Sequence, residues 1–271
     1  MSGADYSAWI GRSETQTDVL SAAPLRGLAA LLDYEAPPWG DLAPPLAHWL
    51  YFLPTVAQHL IDVDGHPKRG GFLPPVELPR RMWAGGRLIF HAPLAVGAQV
   101  ERVSTIADVK AKAGASGDMV FVTVRHVLRV NDLDAVTEMQ DIVYRGASKS
   151  EPAKAPQLDA RIAEHERAFA PDATMLFRFS ALTFNAHRIH YDLDYAKNDE
   201  GYPGLVVHGP YIATALMDHA MRTSPSAQFK SFEFRAQRPL FVGDAAILCR
   251  AGNDLWCRNG AGEVTMSARV G

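Results

Sequence analysis

Cysteine is scarce in this chain: 271 residues hold two, Cys249 and Cys257. Their spacing fits no zinc pattern, and a chain of this length can bury enough core to fold without a disulfide. They read as ordinary buried or half-buried thiols in a reducing compartment. Long apolar runs are missing too. No stretch approaches the ~20 residues of a membrane helix, because Arg, Asp, His or Pro interrupts each one. Positive charge is not in excess: 27 Lys and Arg face 30 Asp and Glu, a formal net charge of −3. Nothing in that balance draws the chain to nucleic acid or to an acidic membrane. The sequence from Met1 to Leu20 lacks a charged start followed by an apolar run, so no secretory leader is expected. Asp5 and Glu14 weigh against a mitochondrial one, and the reading is cytoplasmic. The pairs Gly70-Gly71 and Gly85-Gly86 lack the strand–loop–helix setting of a phosphate loop.

What is present is a globular composition, 48% hydrophobic and 21% charged, in two halves. Gly146 to Gln157, GASKSEPAKAPQ, is small, polar and proline-bearing with no apolar period, and reads as a linker. The expected units are residues 1–146, a linker at 147–157, and residues 158–271. The halves echo each other. Pro93-Leu94-Ala95-Val96-Gly97 recurs as Pro239-Leu240-Phe241-Val242-Gly243, and β-branched or alternating runs follow both phrases. Those runs predict antiparallel strands, with turns at Gly117 and Asp118, Asn131 to Asp134, and Asn259 to Gly262. Earlier in each half, Ser21 to Arg26 aligns with Ser180 to Asn185, and His48-Trp49 with His208-Gly209. Val206 to Met221 predicts a buried helix with Gly209 and Pro210 in its first turn. Its counterpart, His48 to Ile61, contains Pro54 and should be kinked or broken. Each half thus offers a strand, a helical region and further strands, an α+β pattern in which a curved antiparallel sheet wraps a helix.

The densest cluster of chemical groups is Ser180 to Ala196, SALTFNAHRIHYDLDYA. Asn185 and His190 are five apart, about 140° of helical rotation, so they share no helix face. They converge if Asn185 lies in a loop or cap. A capping Asn with surface histidines is the plain alternative. A metal held by His187, His190 and Asp192 or Asp194 is another, but no further ligand has diagnostic spacing, so no metal and no cofactor is expected. A Gly-x-Ser-x-Gly elbow is absent.

These residues resemble the MaoC-like, R-specific hydratase family, whose signature reads Asp-x-Asn-Pro-x-His, five residues, then a small residue. His190 falls on the signature His and Ala196 on the small position. Gly209, after His208, falls on the glycine that supplies an oxyanion-binding amide. Three positions depart: Asn185 stands for the Asp, His187 for the Asn and Arg188 for the Pro. This variant is similar to the subfamily of 3-hydroxyacyl-thioester dehydratase type 2 and the itaconyl/mesaconyl-CoA hydratases. The likeness extends to Gly65–Pro75 and Leu78–Gly86. It implies a double hotdog fold and an acyl-CoA or acyl-carrier-protein thioester as partner. It also implies hydration of mesaconyl-C4-CoA or itaconyl-CoA to citramalyl-CoA, and a homodimer.

The chemistry suits these types. Adding water to an enoyl thioester needs a group that handles protons near neutrality, a donor for the oxygen that becomes negative, and a hold on the water. His190, the Gly209 amide and Asn185 are the candidates, with His187 and His208 as substrate-side neighbours. Asn185 cannot take a proton as an Asp would, so His190 carries more of the work. On the alignment above, Arg26, Leu31 and Trp49 replace Asn185, His190 and Gly209 in the first half, which is therefore expected to be catalytically degenerate. Arg80 and Arg81 are candidates for a substrate carboxylate or a phosphate, beside the alternative of solvated loop residues. Three rival functions remain. They are dehydration of a 3-hydroxyacyl-carrier-protein, a hotdog acyl-CoA thioesterase, and a non-catalytic acyl-thioester binder.

Overall fold

The computed structural model describes residues 5–114, 117–146 and 158–271, so the linker at 147–157 lies outside the described residues. The strands and helices of the first half are β1 (Ser13–Val19), α1 (Ala22–Leu31), β2 (Leu42–Ala43), β3 (Arg80–Phe90), β4 (Leu94–Ala95), β5 (Gln99–Gly114), β6 (Gly117–Val130) and β7 (Leu133–Arg145). After them come β8 (His165–Phe169), α2 (Ala173–Thr183), α3 (Leu193–Asn198), α4 (Gly209–Thr223), β9 (Ser231–Ala236), β10 (Ala246–Ala251), β11 (Asp254–Arg258) and β12 (Val264–Val270).

Among the described residues ten strands form one antiparallel sheet, in the order β1-β5-β6-β7-β3-β9-β12-β11-β10-β8. The early and late strands repeat the same order from each edge inward, and β3 and β9 join them at the centre. Glycine makes that seam possible. A methyl group on Gly85 would lie 2.6 Å from the Phe234 carbonyl oxygen, and one on Gly86 would lie 2.9 Å from the Phe234 ring. Gly85 and Gly86 thus let two half-sheets meet. Turn chemistry sets the registers as expected. Asn131 and Asp132 both take positive φ, so β6 and β7 close as a two-residue hairpin across Val130 and Leu133. Asn259 to Gly262 closes β11 onto β12.

α4 begins at Gly209, not Val206, because Val206 and Val207 are held extended against Phe241 and Leu240. From Tyr211 to Ala220 every side chain is buried, as a helix enclosed by its sheet requires. Its buried Asp218 is met by Arg167 at 2.7 Å, Arg222 at 2.9 Å and the Tyr34 hydroxyl at 2.7 Å, a clamp between the halves. This is the double hotdog architecture, with one departure. Where the second half has α4, the first has a single 3-10 turn at Ala47–Leu50, then extended chain and another short turn at Gln58–Leu60. Pro54 denies the helix a donor, and Phe52 takes a positive φ of 53°. Below that turn, His48 and Trp49 both bond the buried Glu138 carboxylate, at 2.9 Å and 3.1 Å.

The structure corrects the register of the repeat. Leu42 pairs with Ala95 as Val206 pairs with Phe241. Asp33 and Phe184, both at positive φ, close α1 and α2 alike. Tyr34, Trp39 and Pro45 therefore stand opposite Asn185, His190 and Gly209, in place of Arg26, Leu31 and Trp49. Sliding a short apolar helix by about two turns keeps its buried face, so the sequence match tolerated the slip. Both cysteines are buried and free, and burial pushes their thiols up to about 11 for Cys249 and about 12 for Cys257.

Candidate active site

The cluster from Asn185 to Gly209 is assembled by caps and turns rather than by one helix face. α2 ends at Phe184, whose positive φ of 48° turns the chain, and the Asn185 amide bonds back to the Ser180 carbonyl at 2.9 Å. The Asn185 side-chain oxygen then accepts the His187 amide at 3.0 Å, a local turn that asparagine favours. Its –NH2 has no acceptor among the described residues. A 3-10 turn, Arg188–His190, follows. Arg188 ties to Asp192 at 2.7 Å, and Asp192 caps α3 through the Tyr195 amide at 3.0 Å. Asp192 is thereby committed to capping and pairing, away from the histidines.

His190 has its Nδ1 2.7 Å from the Val206 carbonyl oxygen. A carbonyl only accepts, so Nδ1 carries the proton and Nε2 presents a bare lone pair. The ring lies on that of His208, centroids 3.6 Å apart and planes 21° from parallel. His208 is fully buried, bonded to Ser180 Oγ at 2.8 Å and packed on Phe179. It packs under the His190 ring, and its Nδ1 is buried with no hydrogen-bond partner among the described residues. Its next residue, Gly209, is the first of α4, and the Gly209 N–H has no backbone acceptor among the described residues. A methyl group there would meet the Trp83 carbonyl oxygen at 3.8 Å and Met266 Cε at 4.0 Å, ordinary contacts. Packing alone does not require this glycine.

The other side of the site comes from the first half, and sequence reading missed it. Gly65 takes φ 91° and lies so close to Ala186 that a methyl group would fall 1.8 Å from its carbonyl oxygen. The Asp64 carbonyl accepts the Arg188 amide at 2.9 Å. This docks Asp64 and His66 onto the site. His66 Nδ1 meets Asp64 Oδ2 at 3.1 Å, and the His66 ring lies 4.1 Å from that of His187, itself 5.4 Å from His190. Four imidazoles thus form a column: His66, His187, His190, His208. Ligand atoms of Asp64, His66 and His187 all lie within 4.8 Å of one another, so these three residues could hold a metal ion. The sequence signal was the phrase Gly65-His66-Pro67 in a stretch with no helix or strand pattern.

Electrostatics keep the column neutral. Burial pulls His190 down to about 4, with the Val206 carbonyl opposing and His66 adding to the shift. Burial likewise holds His208 well below its ordinary range, and burial with the neighbouring imidazoles lowers His187. In His66 burial outweighs the Asp64 bond, so its pKa also falls. Burial raises Asp64, but His66 overrides it and the carboxyl stays ionised. Neutral imidazole with an open nitrogen is the form that accepts a proton.

The two arginines separate. Arg80 is bound to Glu200, with Nε 3.0 Å from its carboxylate and a further bond to its carbonyl. Arg81 forms no ion pair among the described residues and acts electrostatically on both His66 and His187. An apolar groove of about 330 Å³, lined by Phe177, Ala181, Phe184, Tyr191 and others, opens beside Asn185 and Ala186. Among the described residues no helix is long and apolar enough to cross a membrane.

Comparison with known proteins shows the family. The family profile of the hydroxyacyl-thioester dehydratases type 2 matches residues 46–242. The chain is 45% identical to the mesaconyl-C(4)-CoA hydratase of Chloroflexus aurantiacus, over 100% of this chain and 99% of that one. It is 30% identical to the mitochondrial hydroxyacyl-thioester dehydratase type 2 of Schizosaccharomyces pombe, over 88% of this chain and 90% of that one. A MaoC-like dehydratase from Phytophthora capsici shares the fold at TM-score 0.71 and 14% identity, covering 98% of this chain and 97% of the other.

Proposed function

The chain belongs to the hydroxyacyl-thioester dehydratase type 2 family, and on that premise we propose that it hydrates short enoyl-CoA thioesters, with mesaconyl-C4-CoA as substrate. One observation carries the mechanism: a neutral His190 with its Nδ1 committed to Val206 stacks on His208, whose next residue, Gly209, opens α4 with an amide that has no backbone acceptor among the described residues. Similarity to the Chloroflexus hydratase along the whole chain supports the choice of substrate.

Water loses a proton to His190 Nε2 as its oxygen bonds to the β-carbon. The π electrons move through the α-carbon onto the thioester oxygen, where the Gly209 N–H and the helix dipole stabilise the charge. The proton then returns from Nε2 to the α-carbon and the thioester carbonyl re-forms. The Asn185 –NH2 steadies the water or the thioester. Arg81 binds the free carboxylate of the substrate, while Arg80 braces the loop at Glu200. The apolar groove beside Asn185 suits the pantetheine arm of the thioester. His187 lines the site between His66 and His190.

In this reading residues 1–146 and 158–271 are duplicated units. The first is catalytically degenerate, with Tyr34, Trp39 and Pro45 where the second has Asn185, His190 and Gly209. We take the working form as a cytoplasmic homodimer.

The test is loss of enoyl-thioester absorbance across mesaconyl-C4-CoA, itaconyl-CoA, crotonyl-CoA and a 3-hydroxyacyl-carrier protein run in reverse. Fastest turnover on mesaconyl-C4-CoA is expected. Free thiol release without hydration would make the chain a thioesterase, and binding without turnover would make it a carrier.

A further inference from the structure

The site holds one carboxylate that the mechanism above leaves idle. Asn185 removes the acid found at that position in the family signature, yet a buried imidazole that becomes charged during catalysis needs a counter-charge. Asp64 is placed to give it. Its Oδ1 accepts the His66 amide at 2.8 Å and its Oδ2 meets His66 Nδ1 at 3.1 Å, so the ring is fixed with Nε2 open. The pair sits at the more open end of the column: His66 is half-buried, whereas His190 and His208 are buried. The fold goes to some length to hold it there. Gly65 must pack on Ala186 with positive φ, and Asp64 must bond the Arg188 amide, to bring this loop against the second half.

We propose that the Asp64–His66 pair is a positioning arm of the active site, supplied by the otherwise degenerate first half, that replaces the carboxylate lost at Asn185. It rests on the hydratase reading. As water gives its proton to His190 Nε2, positive charge appears on that ring. Asp64, acting through His66 and His187, lowers the energy of that charge and keeps the column in one tautomeric order. No proton need leave the water–His190–α-carbon cycle, so the step balances as written above. Other charged or titratable groups face the pair: Arg69 and Arg81 act on His66, and Tyr195 and Glu200 sense Asp64. Arg69 donates to the carbonyls of Val76, Leu78 and Pro79, whereas Arg81 forms no ion pair among the described residues.

The experiment compares Asp64→Asn, Asp64→Glu, His66→Asn and His190→Ala in the full chain. Steady-state hydration of mesaconyl-C4-CoA is measured together with thermal unfolding and histidine-ring 15N spectra. Asp64→Asn should lower kcat at least ~10-fold, the low end for a group assisting proton transfer. Its KM should stay within about twofold, the His66 tautomer signal should change, and Asp64→Glu should recover part of the rate. Should Asp64→Asn fail to fold, His66→Asn serves: it keeps a donor toward Asp64 but loses the ring, and should show the same loss in kcat. Wild-type kcat in a folded variant, with His190→Ala inactive, overturns the proposal and leaves the hydratase reading intact. A fall in melting temperature and a rise in KM with kcat unchanged would make the pair merely structural. Wild-type activity in His190→Ala would remove that ring from the mechanism, and no hydration by wild type would overturn the hydratase reading itself.

Discussion

His190 and His208 lie ring on ring, 3.6 Å between centroids, and the second of them is the residue that introduces the Gly209 amide. That stacking sets the proposed base against the residue that precedes the proposed oxyanion donor. The Val206 carbonyl fixes the tautomer. Both constraints come from the extended Val206–Val207 segment that delays the start of α4.

Gly209→Ala separates folding from chemistry. A methyl group there finds only ordinary contacts at 3.8 and 4.0 Å, and alanine is the better helix former. Thermal stability should hold or rise slightly. Turnover should fall on the order of 100-fold, the scale of one lost oxyanion donor, because the thioester can no longer reach the amide. Normal turnover would remove Gly209 from the site.

Asn185→Asp should fold and retain measurable activity, since either side chain accepts the His187 amide. The added carboxylate favours the charged form of nearby imidazole and raises His190 above about 4. The base must be neutral to work, so the acidic limb of the pH–rate profile should move to higher pH than in wild type. Complete inactivation would show that the asparagine –NH2 is needed as a donor.

Arg81→Met should raise KM for mesaconyl-C4-CoA by ~10-fold or more while sparing crotonyl-CoA, which has no carboxylate to lose. Arg80→Met should act differently, because it strands the Glu200 carboxylate. Its effect should appear as a lower melting temperature, with the two substrates affected equally. Equal losses on both substrates for Arg81→Met would contradict carboxylate recognition.

The histidine column makes stability depend on acid. His66, His187, His190 and His208 are all depressed below their ordinary value. The unfolded chain therefore binds protons near pH 6.5 that the folded chain refuses until about 4 at His190. Stability should be complete above about pH 6.5 and decline as pH falls toward 4, by a few kcal/mol for His190 alone at ~1.4 kcal/mol per unit. Urea unfolding at pH 7.5 and 5 checks this, and His190→Gln should show a shallower decline. A pH-independent midpoint would contradict the buried, neutral column.

The strands were legible because β-branched alternation and Asn-Asp or Gly turns act locally, and Asn131-Asp132 delivers its hairpin as written. The motif around His190 was legible because its spacing is short. Asp64 and His66 were not, since they reach the site through a long irregular loop whose only demand on sequence is a glycine where two backbones touch. Gly85 and Gly86 were equally opaque: nothing local reveals that another strand will pass over them. The pairing of Arg80 with Glu200 spans the two halves, a relationship that periodicity does not encode.

The most direct test is the rate of mesaconyl-C4-CoA hydration by His190→Ala against wild type at neutral pH, with unfolding measured on both. Wild type should turn over the substrate, and the variant, still folded, should be at least ~100-fold slower. A folded variant that hydrates at the wild-type rate would contradict the role assigned to this imidazole.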